Sequence, residues 1–264
     1  MKYNKYAFYE RAVQTPEQHV EQFVGIYREI NGTYARTLRE DFCGTFRISC
    51  EWVKRNRKNE AIGLDLDPEP LAYGRTHHRS KLSAEQKKRL TVLRQNVLSV
   101  TSPLADLIVA GNFSFYIFKQ RKLLLDYFRN CRKSLRKNGT VILEMSGGPG
   151  MIEPIRERVP IYGREGRLFS YIWHQKSYDP ITHDAQYAIH FQLPTGETKK
   201  DVFTYDWRLW TIAEVRELLE EAGFARSTVY WETSHRGKGT GEYAQAEKGD
   251  NAYAWIAYVV GIKG

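Results

Sequence analysis

The sequence predicts an α/β fold with a doubly wound, mostly parallel sheet, and three observations support this prediction. From residue 37 onward, apolar segments of about five residues alternate with helix-like segments, which is the pattern of parallel βαβ units. Polar residues directly follow several of these apolar segments, so they would meet at the carboxyl edge of one sheet. The chain has 264 residues, of which 42% are hydrophobic and 27% charged, as is typical of one folded domain. Together these features predict a Rossmann-like domain with a seven-stranded sheet.

Residues 1–36 precede the alternation and are predicted to form a helical N-terminal lid on a domain that spans residues 37–264. The segment Thr15-Pro16-Glu17 has the features of a helix start, and apolar residues follow it at mostly helical spacing. Aromatic residues also cluster near the N-terminus. Most such stripes are ordinary packing, but tyrosine rings also attract organic cations, and Tyr9 is the candidate for such a contact.

The first predicted strand, in TLREDF, ends in two acidic residues before a turn that contains small residues and a helix. Backbone N–H groups at such a helix start can approach a ligand closely. Glu40 or Asp41 would suit a cationic amine on that ligand. The alternative is that the acid only caps the following helix.

The second predicted strand, in AIGLDL, ends at Asp65, about 20 residues after that turn. A carboxylate at this place can accept hydrogen bonds from both hydroxyls of a ribose. The third and fourth predicted strands also end in polar segments, Gln95-Asn96-Val97 and Gly111-Asn112-Phe113. This order and spacing predict a nucleoside-binding crevice.

The part of the chain after residue 145 has a different pattern. Aromatic and polar residues alternate over about residues 165–210, which predicts an antiparallel insertion of about three strands. A helix over residues 211–223 follows, with a capping box from Thr211 to Glu214. Two further strands are predicted, and the polar, glycine-rich run over residues 234–250 between them is interpreted as a long hairpin loop.

The order of the segments LREDFCGTF, AIGLDLDPEPLAYGR, RQNVLSV, ADLIVAGNFSFYIF, LRKNGTVILE and WTIAEVRELLEEAGF resembles the motif series of the class I S-adenosylmethionine-dependent methyltransferases. The insertion resembles that of members which act on small molecules such as amino sugars and glycine-like amines. The resemblance implies S-adenosylmethionine as cofactor, S-adenosylhomocysteine as product, and a small-molecule acceptor methylated on nitrogen or oxygen. The implied cofactor-binding residues are Tyr9, Glu40, Phe42, Cys43, Gly44, Thr45, Asp65, Leu66, Asn96, Val97, Asn112 and Phe113.

The resemblance also assigns parts of the cofactor to these residues. Glu40 and the following loop would hold the methionine moiety, and Asp65 the ribose hydroxyls. Leu66 would contact one face of the adenine, and Asn96 with Val97 its edge. An aspartate is more usual at the Asn96 position, but an amide can both accept and donate a hydrogen bond.

The loop after the first strand departs from the family pattern. Three glycines are usual there, whereas this chain has Phe42, Gly44 and Phe46 at the matching positions. A phenylalanine adopts positive backbone φ angles only at a cost, so the two rings are expected to narrow the approach of the backbone to the cofactor. The Cys43-Gly44-Thr45 core of the loop still matches the family.

Methyl transfer from a sulfonium is an in-line displacement that depends mainly on how the acceptor is positioned. In the family, the end of the fourth strand faces the methyl group, so Asn112, Ser114 and Tyr116 are the catalytic candidates there. His174 in the insertion is a further candidate for proton removal. The alternatives are a tight turn with core aromatics for the first three residues and a structural role for the histidine.

The charge and the motifs leave three alternatives to small-molecule methylation. The net charge of +9 and the pI near 9.3 make RNA the alternative acceptor, although the basic residues are scattered in short runs typical of solvated helix faces. An NAD-dependent oxidoreductase would need G-x-G-x-x-G in the first turn, where only Gly44 is present. A non-enzymatic cofactor-binding module would lack an acceptor pocket.

The cysteines and the hydropathy pattern bear on the environment of the protein. Cys43, Cys50 and Cys131 lack CxxC spacing, which predicts reduced thiols and neither disulfides nor a metal site. No segment has the length of a membrane span, and the N-terminus lacks the apolar stretch of a secretory signal. We therefore expect a cytoplasmic protein without membrane contact, either a monomer or a homodimer.

Overall fold

The computed structural model of the chain describes residues 2–235 and 238–264, which form two β-sheets and seven α-helices. The helices are α1 (Lys5–Val13), α2 (Pro16–Asn31), α3 (Arg47–Arg55), α4 (Pro68–His77), α5 (Ala84–Lys88), α6 (Arg121–Ser134) and α7 (Ile212–Glu221). The strands are β1 (Thr37–Asp41), β2 (Glu60–Asp65), β3 (Leu90–Arg94), β4 (Ala105–Ala110), β5 (Leu135–Gly147), β6 (Arg156–Gly163), β7 (Gly166–Tyr178), β8 (Asp184–Gln192), β9 (Thr198–Arg208), β10 (Arg226–His235), β11 (Lys238–Gln245) and β12 (Trp255–Ile262).

The central sheet is mostly parallel on one side and antiparallel on the other, in the order β11-β10-β12-β5-β4-β1-β2-β3. Strands β3, β2, β1, β4 and β5 are parallel neighbours, while β12 runs antiparallel to both β5 and β10. The strand order reverses between β1 and β4, and ligands of open α/β sheets bind at such a switch point. The predicted doubly wound α/β fold is therefore confirmed.

Pairing in the sheet brings the predicted polar strand ends together. Asp41, the last residue of β1, pairs with Leu64 of β2 and with Ala110 of β4. The residues that follow these partners, Asp65 and Gly111, therefore emerge on either side of the turn after β1.

An eighth strand extends the sheet beyond the seven that the sequence predicted. β11 lies within the run that was interpreted as a long loop, and it pairs with β10 at the sheet edge. An edge strand is held by its backbone and needs no alternation of apolar residues, so a polar, glycine-rich segment can form one. Residues 236 and 237 of that run lie outside the described residues.

The insertion is a four-stranded antiparallel sheet in the order β6-β7-β8-β9, one strand more than predicted. It begins at Arg156 and not near residue 165, because β6 is an additional edge strand. Most of β6 is exposed, so its sequence carries no apolar alternation that would mark it as a strand.

The two N-terminal helices connect the two sheets. Phe8 of α1 stacks on Phe169 of the insertion with ring centroids 4.0 Å apart, whereas Phe23 of α2 packs against Tyr258 of the central sheet. The predicted helix start is confirmed, since Pro16 is the first residue of α2. Among the described residues, no helix has both the length and the apolar character that crossing a membrane requires.

Candidate active site

The two acids at the end of β1 have different environments because neighbouring residues of a strand point to opposite faces. Asp41 accepts from Arg39 Nε at 2.6 Å and from the Tyr127 hydroxyl at 2.8 Å, and both members of the ion pair are fully buried. Its charge is therefore neutralised inside the domain. Of the two acids that the sequence left open, Glu40 is the one available to a ligand.

Glu40 is held at the first turn of α3. Its Oε2 accepts from the backbone N–H of Ser49 at 2.8 Å and from the Ser49 hydroxyl, so this oxygen has the capping role that the sequence left open. Its Oε1 accepts no hydrogen bond from the part of the chain that the structure describes. Burial raises the pKa of Glu40 to about 7, although the hydrogen bonds from Ser49 lower it.

The turn after β1 adopts left-handed backbone at all three positions where glycine is usual. The φ angles are 55° at Phe42, 52° at Gly44 and 47° at Phe46. Such a conformation costs on the order of 1–3 kcal/mol at a non-glycine residue. The fully buried ring of Phe46 offsets that cost by its removal from water.

Phe46 fits because α4 carries a glycine where it meets the turn. A Cβ atom on Gly74 would collide with the Phe46 ring and with the carbonyl oxygen of Thr45. Both phenylalanines therefore take the glycine-like conformation, at the backbone cost that the sequence predicts. The space for the second ring comes from a helix about 28 residues later in the chain.

The turn is also tied to β2 through Asp65. Its Oδ2 accepts from the backbone N–H of Gly44 at 2.7 Å, and its Oδ1 accepts from that of Asp67 at 2.9 Å. Each carboxylate oxygen can accept a second bond. Asp65 therefore keeps the capacity to receive two hydroxyl donors while it holds the loop.

A buried polar cluster, which we call the N-terminal latch, joins α1 to the same turn. Glu10 Oε1 accepts from the Thr45 hydroxyl at 2.7 Å and lies 2.6 Å from His78 Nε2 of the loop after α4. Glu10 is 7% exposed. The latch fixes α1 over the turn.

Two adjoining cavities open at the carboxyl edge of the sheet. We call the first, of about 300 Å³, the acidic cavity. It is lined by Tyr6, Tyr9, Gln14, Glu40, Asp41, Phe42, Cys43, Gly44, Thr45, Ile48, Asp65, Asp67, Pro70, Gly111, Asn112, Ser114, Ile117, Phe203, Tyr205 and Trp207. None of these described lining residues is basic, so the cavity suits a cation.

We call the second, of about 350 Å³, the aromatic cavity. It is lined by Tyr9, Val13, Asn112, Phe113, Ser146, Met151, Tyr171, Trp173, Ile189, Tyr205, Trp207, Glu232, Ala254, Trp255 and Ile256. Four residues line both cavities, namely Tyr9, Asn112, Tyr205 and Trp207. A group bound in one cavity can therefore meet a group bound in the other.

The turn after β4, at the boundary between the cavities, is held by an acid that the sequence analysis missed. Glu144 of β5 accepts from the backbone N–H of Asn112 and lies 3.7 Å from His19 of α2. Asn112 and Phe113 both have positive φ, at 52° and 57°. The pKa of His19 is raised, because hydrogen bonding and charge attraction from Glu144 outweigh the lowering by burial.

Most of the predicted cofactor residues line one of the two cavities. Phe113 lines the aromatic cavity, and Leu66, Asn96 and Val97 line neither. The remaining predicted residues line the acidic cavity, namely Tyr9, Glu40, Phe42, Cys43, Gly44, Thr45, Asp65 and Asn112.

The residues predicted at the adenine are the ones outside the cavities. The side chain of Asn96 folds back to accept from the N–H of Leu98 at 2.9 Å. Val97 is buried, and its carbonyl accepts from Arg39 at 2.6 Å. Leu66 is 58% exposed directly after Asp65, so a flat ring could cover it.

Of the four predicted catalytic residues, two line a cavity and two do not. Asn112 and Ser114 line the acidic cavity, although the Ser114 hydroxyl already donates to the Gly111 carbonyl at 2.7 Å within the turn. Tyr116 is buried in the core and donates to the carbonyl of Ser146 at 2.8 Å. We therefore withdraw Tyr116 from the catalytic candidates.

His174 also lies outside both cavities. Its neighbour Trp173 lines the aromatic cavity, so His174 points to the opposite face of the insertion sheet. There its Nδ1 lies 3.1 Å from His190 Nε2, and burial together with nearby cations lowers the pKa of His174. We withdraw it as well, because it faces away from both cavities.

Sequence reasoning missed the aromatic walls of the second cavity. Tyr171 and Trp173 are two residues apart in β7, and Tyr205 and Trp207 are two residues apart in β9. Side chains two apart share one face of a strand, so this spacing could have predicted a common aromatic face.

Known proteins were compared with the chain by sequence and by structure. Neither a scan against protein-family models nor a search of curated proteins by sequence found a match. Solved structures match along the whole chain. One is the S-adenosylmethionine-bound CalS10 of Micromonospora echinaspora, an amino pentose methyltransferase, with a TM-score of 0.72, 13% identity, and coverage of 100% of this chain and 98% of that one. The chain has the fold of the S-adenosylmethionine-dependent methyltransferases.

Two further structures with this methyltransferase fold match over comparable lengths. DesVI of Streptomyces venezuelae has a TM-score of 0.72 and 15% identity, and each chain is covered completely. The sugar N-methyltransferase KedS8 of a Streptoalloteichus species has a TM-score of 0.67 and 18% identity, with coverage of 100% of this chain and 94% of that one. The methyltransferase fold therefore includes the N-terminal helices and the insertion.

Proposed function

We propose that this chain is a methyltransferase that uses S-adenosylmethionine to methylate a small-molecule acceptor. One observation carries the proposal, namely that an acidic cavity at the switch point of the sheet and an aromatic cavity share four lining residues. A cationic donor in the first would present its methyl group to an acceptor in the second. The predicted cytoplasmic location and the monomeric or homodimeric state stay predictions.

The residues of the acidic cavity fit S-adenosylmethionine. Glu40 Oε1 accepts no bond from the described residues and would meet the ammonium group, and each oxygen of Asp65 can accept a second bond from a ribose hydroxyl. Gly44 has open space where a side chain would lie. Leu66 offers an apolar surface beside Asp65 for the adenine. A sulfonium cation needs surroundings without competing positive charge, and no described lining residue of this cavity is basic.

S-adenosylmethionine supplies a methyl group on a sulfonium sulfur, and transfer breaks that carbon–sulfur bond, leaves the electron pair on sulfur and gives S-adenosylhomocysteine. The chain contributes positioning. Asn112, fixed through Glu144, and the rings of Tyr9 and Tyr205 lie where the two cavities meet. Burial raises the pKa of Tyr9 to about 12, so its hydroxyl orients the acceptor and does not act as a base at neutral pH.

The activities of two matching proteins support a small acceptor. CalS10 is an amino pentose methyltransferase and KedS8 a sugar N-methyltransferase, and both structures match this chain along its whole length. RNA is not favoured, because no described residue that lines the aromatic cavity is a lysine or arginine that could meet a phosphate. An NAD-dependent reaction is not favoured either, since the loop after β1 has one glycine.

Calorimetry with S-adenosylmethionine, S-adenosylhomocysteine and NADH tests the cofactor. We expect both adenosyl compounds to bind and NADH not to bind. Donor consumption is then measured with small amines, phenols, carboxylates and bulk RNA, and we expect turnover with a small molecule. Binding of NADH alone, or turnover confined to RNA, would contradict the proposal.

A further inference from the structure

We propose that the acceptor is an amine carried on an apolar, ring-bearing body, and that the aromatic cavity selects it over hydroxyl-rich amino sugars. This inference rests on the proposed function, because it assigns the substrate class of the same site. It departs from what the names of the similar structures suggest, since two of those proteins act on sugars.

The first argument is the scarcity of polar partners in the aromatic cavity. Of the 15 described residues that line it, 12 have aliphatic, thioether or aromatic side chains, whose polar groups are limited to the hydroxyls of three tyrosines and the indole N–H groups of three tryptophans. The other three are Asn112, Ser146 and Glu232. A hydroxyl group that enters an apolar wall without a hydrogen-bond partner loses its hydration without compensation. A sugar carries several hydroxyls, so it would bind poorly against these walls, whereas a hydrocarbon ring gains from burial.

The second argument is the arrangement of the rings. Tyr205 and Trp207 have centroids 4.5 Å apart, and Trp173 lies 5.9 Å from the first and 6.5 Å from the second. Phe113 meets Trp207 edge to face at 6.2 Å. Rings in this arrangement present faces and edges to one flat ring, and their faces attract an ammonium group.

The third argument is charge. Apart from tyrosines, Glu232 is the one ionisable group among the described lining residues of the aromatic cavity. Its Oε1 accepts from the N–H of Gly241 at 2.9 Å, which leaves Oε2 for a ligand. The cavity therefore accepts a cation and opposes an anion, so a carboxylate with the same ring should be rejected.

The fourth argument is an unpaired hydroxyl. Ser146 lines the aromatic cavity and is 5% exposed, and its Oγ has no hydrogen-bond partner among the described residues. Its own N–H and carbonyl are both bonded to the Tyr116 hydroxyl, so the backbone is satisfied. A buried hydroxyl without a partner is costly, and an amine N–H from the ligand would satisfy it once the serine side chain rotates toward the cavity.

The reaction of such an amine balances without a further reactant. The amine binds as the ammonium ion and then gives one proton to water, which frees the nitrogen lone pair. The lone pair forms the bond to the methyl carbon while the carbon–sulfur bond breaks and its electrons return to sulfur. The product is an N-methylammonium ion.

The test uses 2-phenylethylamine, 3-phenylpropionate and glucosamine as probes with the full chain. Binding is measured by calorimetry and by tryptophan fluorescence, with and without S-adenosylhomocysteine, and methyl transfer is measured separately. We expect 2-phenylethylamine to bind at least about tenfold more tightly than either other probe, because only it matches both the walls and the charge. Glucosamine or 3-phenylpropionate binding as tightly as the arylamine would overturn the inference.

Three variants test whether 2-phenylethylamine binds in the aromatic cavity. Trp173→Ala should weaken 2-phenylethylamine binding by about tenfold, whereas Tyr162→Ala, which removes an exposed ring of the same sheet outside the cavity, should leave it unchanged. Ser146→Ala removes a hydroxyl that has no partner among the described residues, so we expect the fold to be retained and amine binding to weaken by about fivefold. Unchanged amine binding in Ser146→Ala would contradict the role of that hydroxyl even if Trp173→Ala fails to fold.

The same measurements separate the two proposals. If S-adenosylhomocysteine binds and glucosamine is the preferred acceptor, the proposed function stands and the inference fails. If 2-phenylethylamine binds as expected but neither adenosyl compound does, the proposed function fails, and with it the amine's role as methyl acceptor.

Discussion

The acidic and aromatic cavities meet at four residues, yet they are built in different ways. The floor of the acidic cavity consists of strand ends and the turns after β1 and β4, whose backbone is fixed by hydrogen bonds such as that from Gly44 to Asp65. Residues of α1 and β9 complete its lining. The aromatic cavity consists mainly of side chains on one face of the insertion sheet and on nearby loops. Side chains can be exchanged without a change of backbone, so the acceptor can change while the donor site stays the same.

The largest expected effect concerns the two neighbouring acids of β1. Arg39→Ala should lower the free energy of unfolding by about 3–5 kcal/mol, because it leaves the buried Asp41 carboxylate without its cation. Urea unfolding followed by circular dichroism measures the change. The control is Arg136→Ala, because Arg136 is exposed and Asp106 keeps two backbone hydrogen bonds without it, so the loss should be no more than about 1 kcal/mol. Equal losses in the two variants would show that Asp41 is not structural.

The second largest expected effect concerns cofactor binding in the acidic cavity. Asp65→Ala should weaken S-adenosylhomocysteine binding by about 1–3 kcal/mol, because it removes acceptors for the ribose hydroxyls. Calorimetry measures the affinity, and Asp126→Ala, which alters an exposed pair with Arg129, is the control. Unchanged affinity in Asp65→Ala would remove the ribose assignment.

A smaller effect is a pH dependence of cofactor binding. The pKa of Glu40 is raised to about 7, so its ionised fraction increases as the pH rises through 7. Because the ionised form attracts the ammonium group of the cofactor, affinity should increase about tenfold between pH 6 and pH 8. Asp65 and His19 also face this carboxyl, so the profile is compared with that of Glu40→Gln. A profile that is the same in both proteins would refute the role of Glu40.

The smallest expected effect concerns the N-terminal latch. Glu10→Ala should weaken S-adenosylhomocysteine binding by about fivefold through faster dissociation, because α1 loses its bonds to Thr45 and His78. Stopped-flow measurement gives the dissociation rate. Glu51→Ala, a nearby acid paired with Lys54, should leave the rate unchanged. An unchanged rate in Glu10→Ala would mean that the helix does not close the donor site.

The difference between the two cavities also explains how far the structure could be predicted from the sequence. Regular patterns predicted the parallel strands and the acids at their ends, and the Thr211–Glu214 capping box is confirmed at the start of α7. The edge strands β6 and β11 were not predicted, because backbone pairing holds them without an apolar pattern.

Contacts between distant parts of the chain could not be predicted from the sequence. The conformation of Phe46 depends on Gly74, and no local rule connects the two residues. The position of His174, in contrast, could have been predicted. Side chains alternate along β7, so His174 and Trp173 must lie on opposite faces of the strand. The donor site follows from local rules at strand ends, whereas the acceptor site follows from which face of a strand turns inward.

A crystal structure of the chain with S-adenosylhomocysteine tests the central claim most directly, because the claim concerns where the two cavities meet. We predict the ribose on Asp65, the amino group near Glu40, and the sulfur at the boundary between the cavities, beside Asn112 and Tyr205. A sulfur atom that lies away from this boundary, with the aromatic cavity separated from it by protein, would contradict the account.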